Sequence, residues 1–298
     1  MSNAKLPYVV DGDWLEARLD DPKIRILDAT VHLKQPSGDG YYTLESGAES
    51  FAREHIPGAI FTDLLGALAD PGAPHPMTVP PSATFAEKVG ALGVSNDHTV
   101  VIYDQLDVAK GPGYYQFWAP RLWWHFRVEG FDNVVVLDGG LGKWKREGRP
   151  VTDAVASYPA AHFEANRRPE LLALADDVQG AIEDEQRVLI NVLDDDTYHG
   201  RKLTYARPGR IPSSEHVFFG LLVDPETGGY RKPEDVRSLF EKVGALDADK
   251  KPITYCGGGI AATVAALQLA RLGREDVAVY DGSLTEWAAD ADRPLVVT

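Results

Sequence analysis

The chain runs through one order of elements twice, and no other feature of the sequence constrains its fold as tightly. Phe85-Ala-Glu-Lys-Val-Gly-Ala-Leu92 recurs as Phe240-Glu-Lys-Val-Gly-Ala-Leu246, and Val100-Val-Ile-Tyr103 as Ile253-Thr-Tyr255. Val134-Val-Val-Leu-Asp-Gly-Gly140 with Trp144 matches Val277-Ala-Val-Tyr-Asp-Gly-Ser283 with Trp287. Upstream, Ile26-Leu-Asp-Ala29 pairs with Leu189-Ile-Asn-Val192, and His55-Ile-Pro-Gly58 with Arg210-Ile-Pro-Ser213. A period of about half the chain is far too long for a solenoid and suits a duplicated domain. The 298 residues therefore divide into two units of about 150 residues, each able to bury a core. We expect domains over residues 5–150 and 169–298, with residues 151–168, rich in alanine and proline and without periodicity, as the linker.

Within each copy, short β-branched runs alternate with helical patterns over residues 84–92, 114–129 and 239–246. Such alternation predicts an α/β fold in which each domain is a parallel sheet with helices on both faces. Reactive residues of such sheets lie at the carboxyl ends of strands. There stands Cys256, where Lys251-Pro-Ile-Thr-Tyr255 breaks into Gly257, Gly258 and Gly259 before an alanine-rich helical segment. A thiol at that junction feels the positive potential of amides preceding a helix, which favours an anion on its sulfur. The glycines remove side chains that would crowd the cradle and permit the turns that aim amides inward. The alternative is a small buried hydrophobe that happens to be cysteine. The repeat supplies a control, because Asp104 follows Tyr103 as Cys256 follows Tyr255, and the polar segment Gln105 to Gly113 replaces the glycine turn. We expect the first copy to lack the nucleophile and to shape one wall of a single site.

Composition excludes several classes. A net charge of −15 without a basic stripe disfavours nucleic acid and anionic membranes as partners. No apolar run reaches the roughly 18 residues of a membrane span, and Met1 to Lys5 shows no basic-then-apolar signal pattern. The expected location is cytoplasmic. A single cysteine forbids an internal disulfide, and the histidines show no HxxxH or HExxH spacing, so no metal is implied. Gly257 to Ala262 satisfies G-x-G-x-x-A on paper, but too little chain follows Asp281 for the rest of a nucleotide-binding sheet. A C-x5-R phosphatase loop would need an arginine where Ala262 stands. The aromatics from Tyr114 to Phe126, at helical spacing without densely interleaved basic residues, read as packing. Asp281 and Trp287, which recur as Asp138 and Trp144 in the copy without the thiol, read as structural.

His55-Ile-Pro-Gly-Ala59, Tyr103-Asp104, Pro120-Arg-Leu-Trp-Trp124, Leu137-Asp-Gly-Gly-Leu141 and Cys256-Gly-Gly-Gly-Ile-Ala261 are specific jointly though weak singly. Over nearly the whole chain they resemble the tandem-domain rhodanese family of thiosulfate and 3-mercaptopyruvate sulfurtransferases. The resemblance implies two rhodanese-like domains and a two-step reaction without cofactor. Cys256 takes sulfur from a small anionic donor as a persulfide and passes it to a thiol or cyanide acceptor. The amides of Gly257, Gly258, Gly259, Ile260 and Ala261 would stabilise the anionic sulfur. The loop lacks the basic side chains of the thiosulfate type and is closer to the mercaptopyruvate pattern Cys-Gly-Ser-Gly-Val-Thr, with Gly258 and Ala261 in place of its hydroxyls. Of the family's two carboxylate-binding arginines, one aligns with Thr197 and the other with Arg207, which is the expected substrate-binding residue. Losing such a charge-assisted bond costs about 1.5–3 kcal/mol, so mercaptopyruvate is expected to bind weakly unless Arg201 turns inward. A family histidine falls nearest His75, two positions out of register. The missing arginine and the hydroxyl-free loop keep open a non-catalytic binding or regulatory protein on the same fold.

Overall fold

The computed structural model describes residues 6–34, 41–107 and 117–298. Its first half contains β1 (Val9–Val10), α1 (Gly12–Glu16), β2 (Ile24–Asp28), β3 (Val31–Lys34), β4 (Thr43–Ser46) and α2 (Ala48–Arg53). There follow β5 (Ala59–Phe61), α3 (Ser82–Ala91), β6 (Thr99–Tyr103), α4 (Trp118–Val128), β7 (Val134–Leu137) and α5 (Gly140–Arg146). The second half contains β8 (Leu172–Ala173), α6 (Ala175–Ala181), β9 (Arg187–Asn191), α7 (Asp195–Tyr198) and β10 (Glu215–His216). It closes with α8 (Pro233–Lys242), β11 (Lys251–Tyr255), α9 (Ala262–Arg271), β12 (Ala278–Tyr280) and α10 (Ser283–Trp287).

The repeat in the sequence is a repeat in space. One sheet runs β1-β7-β6-β2-β5 and the other β8-β12-β11-β9-β10, every pairing parallel and every strand in its counterpart's place. Only the first half adds the antiparallel hairpin β3–β4. Recurring motifs have matching jobs. Ile56 N donates to the Tyr103 hydroxyl at 3.3 Å and Ile211 N to the Tyr255 hydroxyl at 3.2 Å, so each Ile-Pro turn is pinned to its central strand. The Trp144 and Trp287 indoles donate to Pro150 O and Pro294 O at 2.7 and 2.8 Å, which makes these tryptophans structural.

Period-two alternation divides the core. Val100 and Ile102 of β6 join an inner cluster, whereas Val101 and Tyr103 join an outer one. The inner cluster continues across both halves, where α4 packs on α9. Every residue of α4 is buried, so Trp118, Trp123, Trp124 and Phe126 are packing residues. Tyr114, Tyr115 and residues 108–113 of the expected polar segment lie outside the described residues. Pro233 begins α8 well before the expected residue 239, and Gly244 at φ 70° follows its end.

The halves clasp each other reciprocally. Asp138 accepts a bond from Tyr230 N at 2.8 Å, and Asp281 accepts one from Val79 N at 2.9 Å, so each copy's Asp-Gly turn holds a backbone amide of the other. Residues 151–168 run as an irregular strap along the first half, with Ala161 N on Gly90 O and Phe163 buried among Phe85, Phe126 and Phe131.

Candidate active site

Cys256 follows β11, the middle strand of its sheet, and precedes α9. Its side chain is only 2% exposed, but it forms part of the wall of a cavity of about 150 Å³. Gly257, Gly258, Ile260 and Ala261 line the same cavity.

The five expected cradle amides do not all point one way. Gly259 N donates to the Ser283 hydroxyl at 3.1 Å, so this amide is withdrawn from the expected set. Cys256 N donates to the same oxygen at 3.1 Å, while Ser283 Oγ donates to Tyr280 O. Gly257, Gly258, Ile260 and Ala261 keep N–H groups without an acceptor among the described residues. Gly259, at φ 73°, turns the chain where a Cβ would stand 2.5 Å from Asp281 O, a place only glycine fits. Ser283 itself holds φ 48°, unusual for a residue with a side chain, where the first copy has Gly140.

Arg121 locks the loop from the opposite half. Its guanidinium donates to Gly259 O at 3.0 Å, Met77 O at 2.6 Å and the Asp281 carboxylate at 2.5 Å, all buried. Asp281, read from sequence as structural, is half of an ion pair tying the loop to α4.

Two phenols complete the wall. A Cβ on Gly257 would meet the Tyr205 hydroxyl at 1.9 Å, and one on Gly258 would lie 3.5 Å from the Tyr42 hydroxyl. Burial, and then the Cys256 sulfur, hold the Tyr205 phenol well above the ordinary tyrosine value. Burial does the same for Tyr42, so both are neutral O–H groups beside the sulfur.

Arg207 is a correction to the sequence reading. Its guanidinium donates to the carbonyls of Trp287, Ala288, Asp290 and Arg293, and it is not among the cavity-lining residues. It holds the segment after α10 in place. Arg201 does not turn inward but pairs with Asp195 and Asp196 at the surface. His75 stands 3.9 Å from Glu286, off the cavity wall. Thr197 does line the cavity, its hydroxyl donating to Asp194 at 2.8 Å.

Sequence reasoning missed Lys202, Thr204, Tyr205, Tyr42 and Ser283. Only Ser283 carried a signal, as the residue that breaks the match with Gly140. The others reach the cavity through irregular segments whose course no periodicity encodes.

A cysteine on a glycine loop at the carboxyl end of a parallel sheet, in a chain whose other copy carries a carboxylate there, defines a tandem α/β protein with a single thiol-bearing loop. The rhodanese-like domain model matches residues 11–147 and again 174–290. The 3-mercaptopyruvate sulfurtransferase of Escherichia coli (strain K12) is 32% identical, with 97% of both chains covered. The thiosulfate sulfurtransferase of Bos taurus is 36% identical over 89% of this chain and 85% of its own. The crystal structure of SseA from Escherichia coli, described as a 3-mercaptopyruvate sulfotransferase with the rhodanese fold, superposes with a TM-score of 0.74 at 29% identity. That match covers 93% of this chain and 99% of SseA. The chain belongs to the rhodanese family, as two tandem rhodanese-like domains, and is a sulfurtransferase. Among the described residues no helix is long and apolar enough to cross a membrane.

Proposed function

We propose that Cys256 carries the sulfur, moving it from a small anionic donor of the mercaptopyruvate or thiosulfate kind to a thiol or cyanide. The Cys256 sulfur attacks the donor's outer sulfur, whose bond to the donor remnant breaks, and the electron pair leaves with the remnant. From mercaptopyruvate the remnant is the pyruvate enolate, which takes up a proton. Cyanide then removes the outer sulfur as thiocyanate and returns the cysteine. The observation that carries this reading is the cysteine on the cavity wall, beside the acceptor-free amides of Gly257, Gly258, Ile260 and Ala261. These donors suit the anionic sulfur present in both half-reactions.

On this reading one site serves the chain. Residues 5–150 act as the domain that walls the site, 169–298 as the domain that carries the nucleophile, and 151–168 as the connector. A cytoplasmic setting and the absence of nucleic-acid partners accord with the net charge of −15. Thiocyanate formation from cyanide tests the reading. The Cys256→Ser variant is expected to lose about three orders of magnitude or more in rate, and a variant retaining wild-type turnover would refute it.

A further inference from the structure

The donor is anionic, yet the arginines around the site are all engaged. Arg121 holds Gly259, Met77 and Asp281, Arg201 pairs with two aspartates, and Arg207 caps carbonyls. Arg210 is spent on Tyr198 O and the Thr298 hydroxyl. Of the described residues that line the Cys256 cavity, the charged ones are Asp194 and Lys202. Asp194 is occupied, one carboxylate oxygen accepting from Thr197 N at 3.0 Å and the other from the Thr197 hydroxyl at 2.8 Å. Lys202 has no hydrogen bond or ion pair with any described residue.

Its neighbours on the chain point to the same ligand. Thr204 lines the cavity with a hydroxyl buried without a partner among the described residues, and the Tyr205 phenol, also without one there, abuts Gly257. A buried hydroxyl in the condition of Thr204 calls for a partner beyond those residues. Leu33, Phe117, Leu193 and Phe219 make the apolar part of the wall, and Tyr42, Thr197 and the loop amides add neutral polar groups but no further cation among the described residues.

We propose that Lys202 anchors the donor's charged end, with Thr204 and Tyr205 as its hydrogen-bonding companions, and that the site thereby selects a monoanionic thiol-bearing oxo acid over the thiosulfate dianion. The proposal rests on the sulfur-carrying role of Cys256. A single ammonium balances one carboxylate, and the oxo and carboxylate oxygens match the two hydroxyls. A dianion would bring a second charge to a wall whose described residues offer no second cation. Lys202 thus supplies from a different position the cation that Thr197 cannot.

Steady-state kinetics with mercaptopyruvate or thiosulfate as donor and cyanide as acceptor test this. Lys202→Gln is expected to raise the KM for mercaptopyruvate about tenfold or more while kcat stays within about threefold. Lys202→Arg recovers most of the loss, and the neighbouring surface change Arg201→Gln leaves KM within about twofold. Wild-type kcat/KM for mercaptopyruvate exceeds that for thiosulfate by about tenfold or more. An unchanged KM in Lys202→Gln, an equal rise in Arg201→Gln, or a preference for thiosulfate overturns the proposal. The mass of the protein after saturating mercaptopyruvate separates the two levels. A wild type that takes up sulfur, with a Lys202 variant kinetically identical to it, removes the anchor alone. A wild type that takes up none removes the sulfur-carrying reading and the anchor with it.

Discussion

Asp104 and Cys256 occupy one place in the two halves, each following the tyrosine that ends the middle strand of its sheet and each preceding a buried helix. The Asp104 carboxylate accepts from Leu106 N, Trp118 N and Ala119 N at 3.0 to 3.2 Å, so its amides are consumed internally. Cys256 leaves the corresponding amides to a cavity. Matching donors thus cap a helix in one copy and, in the other, stay without an acceptor among the described residues beside a cavity, where we propose an anion cradle. Asp104→Cys is expected to acquire no persulfide at residue 104 and to lose about 1–2 kcal/mol of stability, as removal of a cap does. Peptide mapping after donor treatment, with urea unfolding alongside, checks both parts.

Burial pushes the Asp104 carboxyl up from 3.8 to about 7. The folded state therefore holds this proton more tightly than the unfolded chain, and between about pH 4 and 7 the contribution of this group to stability falls as pH rises. Burial raises Asp28 as well, which adds in the same direction. Asp104→Asn removes the titration while keeping one acceptor. Unfolding at pH 5 and pH 8 is expected to show the variant gaining on the wild type at the higher pH. A difference that is constant with pH would contradict the assignment.

Arg121 and Asp281 form a buried pair across the two halves, in which the guanidinium also holds Gly259 O of the active loop and the carboxylate also accepts from Val79 N of the first half. Arg121→Met leaves the carboxylate uncompensated and is expected to cost about 3–5 kcal/mol, with part of it recovered in the Arg121→Met/Asp281→Asn double variant. Denaturant midpoints provide the measurement, and additive losses in the double variant would show that the two side chains act separately.

Ser283 accepts two loop amides on one hydroxyl at a strained φ of 48°. Ser283→Gly, which restores the residue of the first copy, relieves the strain but frees Cys256 N and Gly259 N. We expect stability to change by less than about 1 kcal/mol, while kcat falls several-fold with KM nearly constant. A KM effect in place of the kcat effect would show that Ser283 acts on donor binding.

The fold was legible because the duplicated motifs are local: strand cores alternate with period two, and each Ile-Pro turn and each of the repeated tryptophans Trp144 and Trp287 is tied within its own half. The cysteine and its glycines were legible for the same reason, lying at one strand-to-helix junction. What escaped was set by long-range contacts. Nothing in the order Lys202-Leu-Thr-Tyr205 reveals that three of these residues line the Cys256 cavity. Nor does Ala206-Arg-Pro-Gly209 reveal that Arg207 is consumed by carbonyls of residues 287 to 293. The expectation of five inward amides failed at Gly259 because its acceptor, Ser283, stands 24 residues away.

The mass of the intact protein after brief exposure to a sulfur donor and removal of the excess tests the central claim most directly. The wild type is predicted to gain the mass of one sulfur atom, to lose it on addition of cyanide, and to show neither change once Cys256 is replaced by serine. An unchanged wild-type mass with both mercaptopyruvate and thiosulfate, or a gain that persists in the serine variant, would contradict the account.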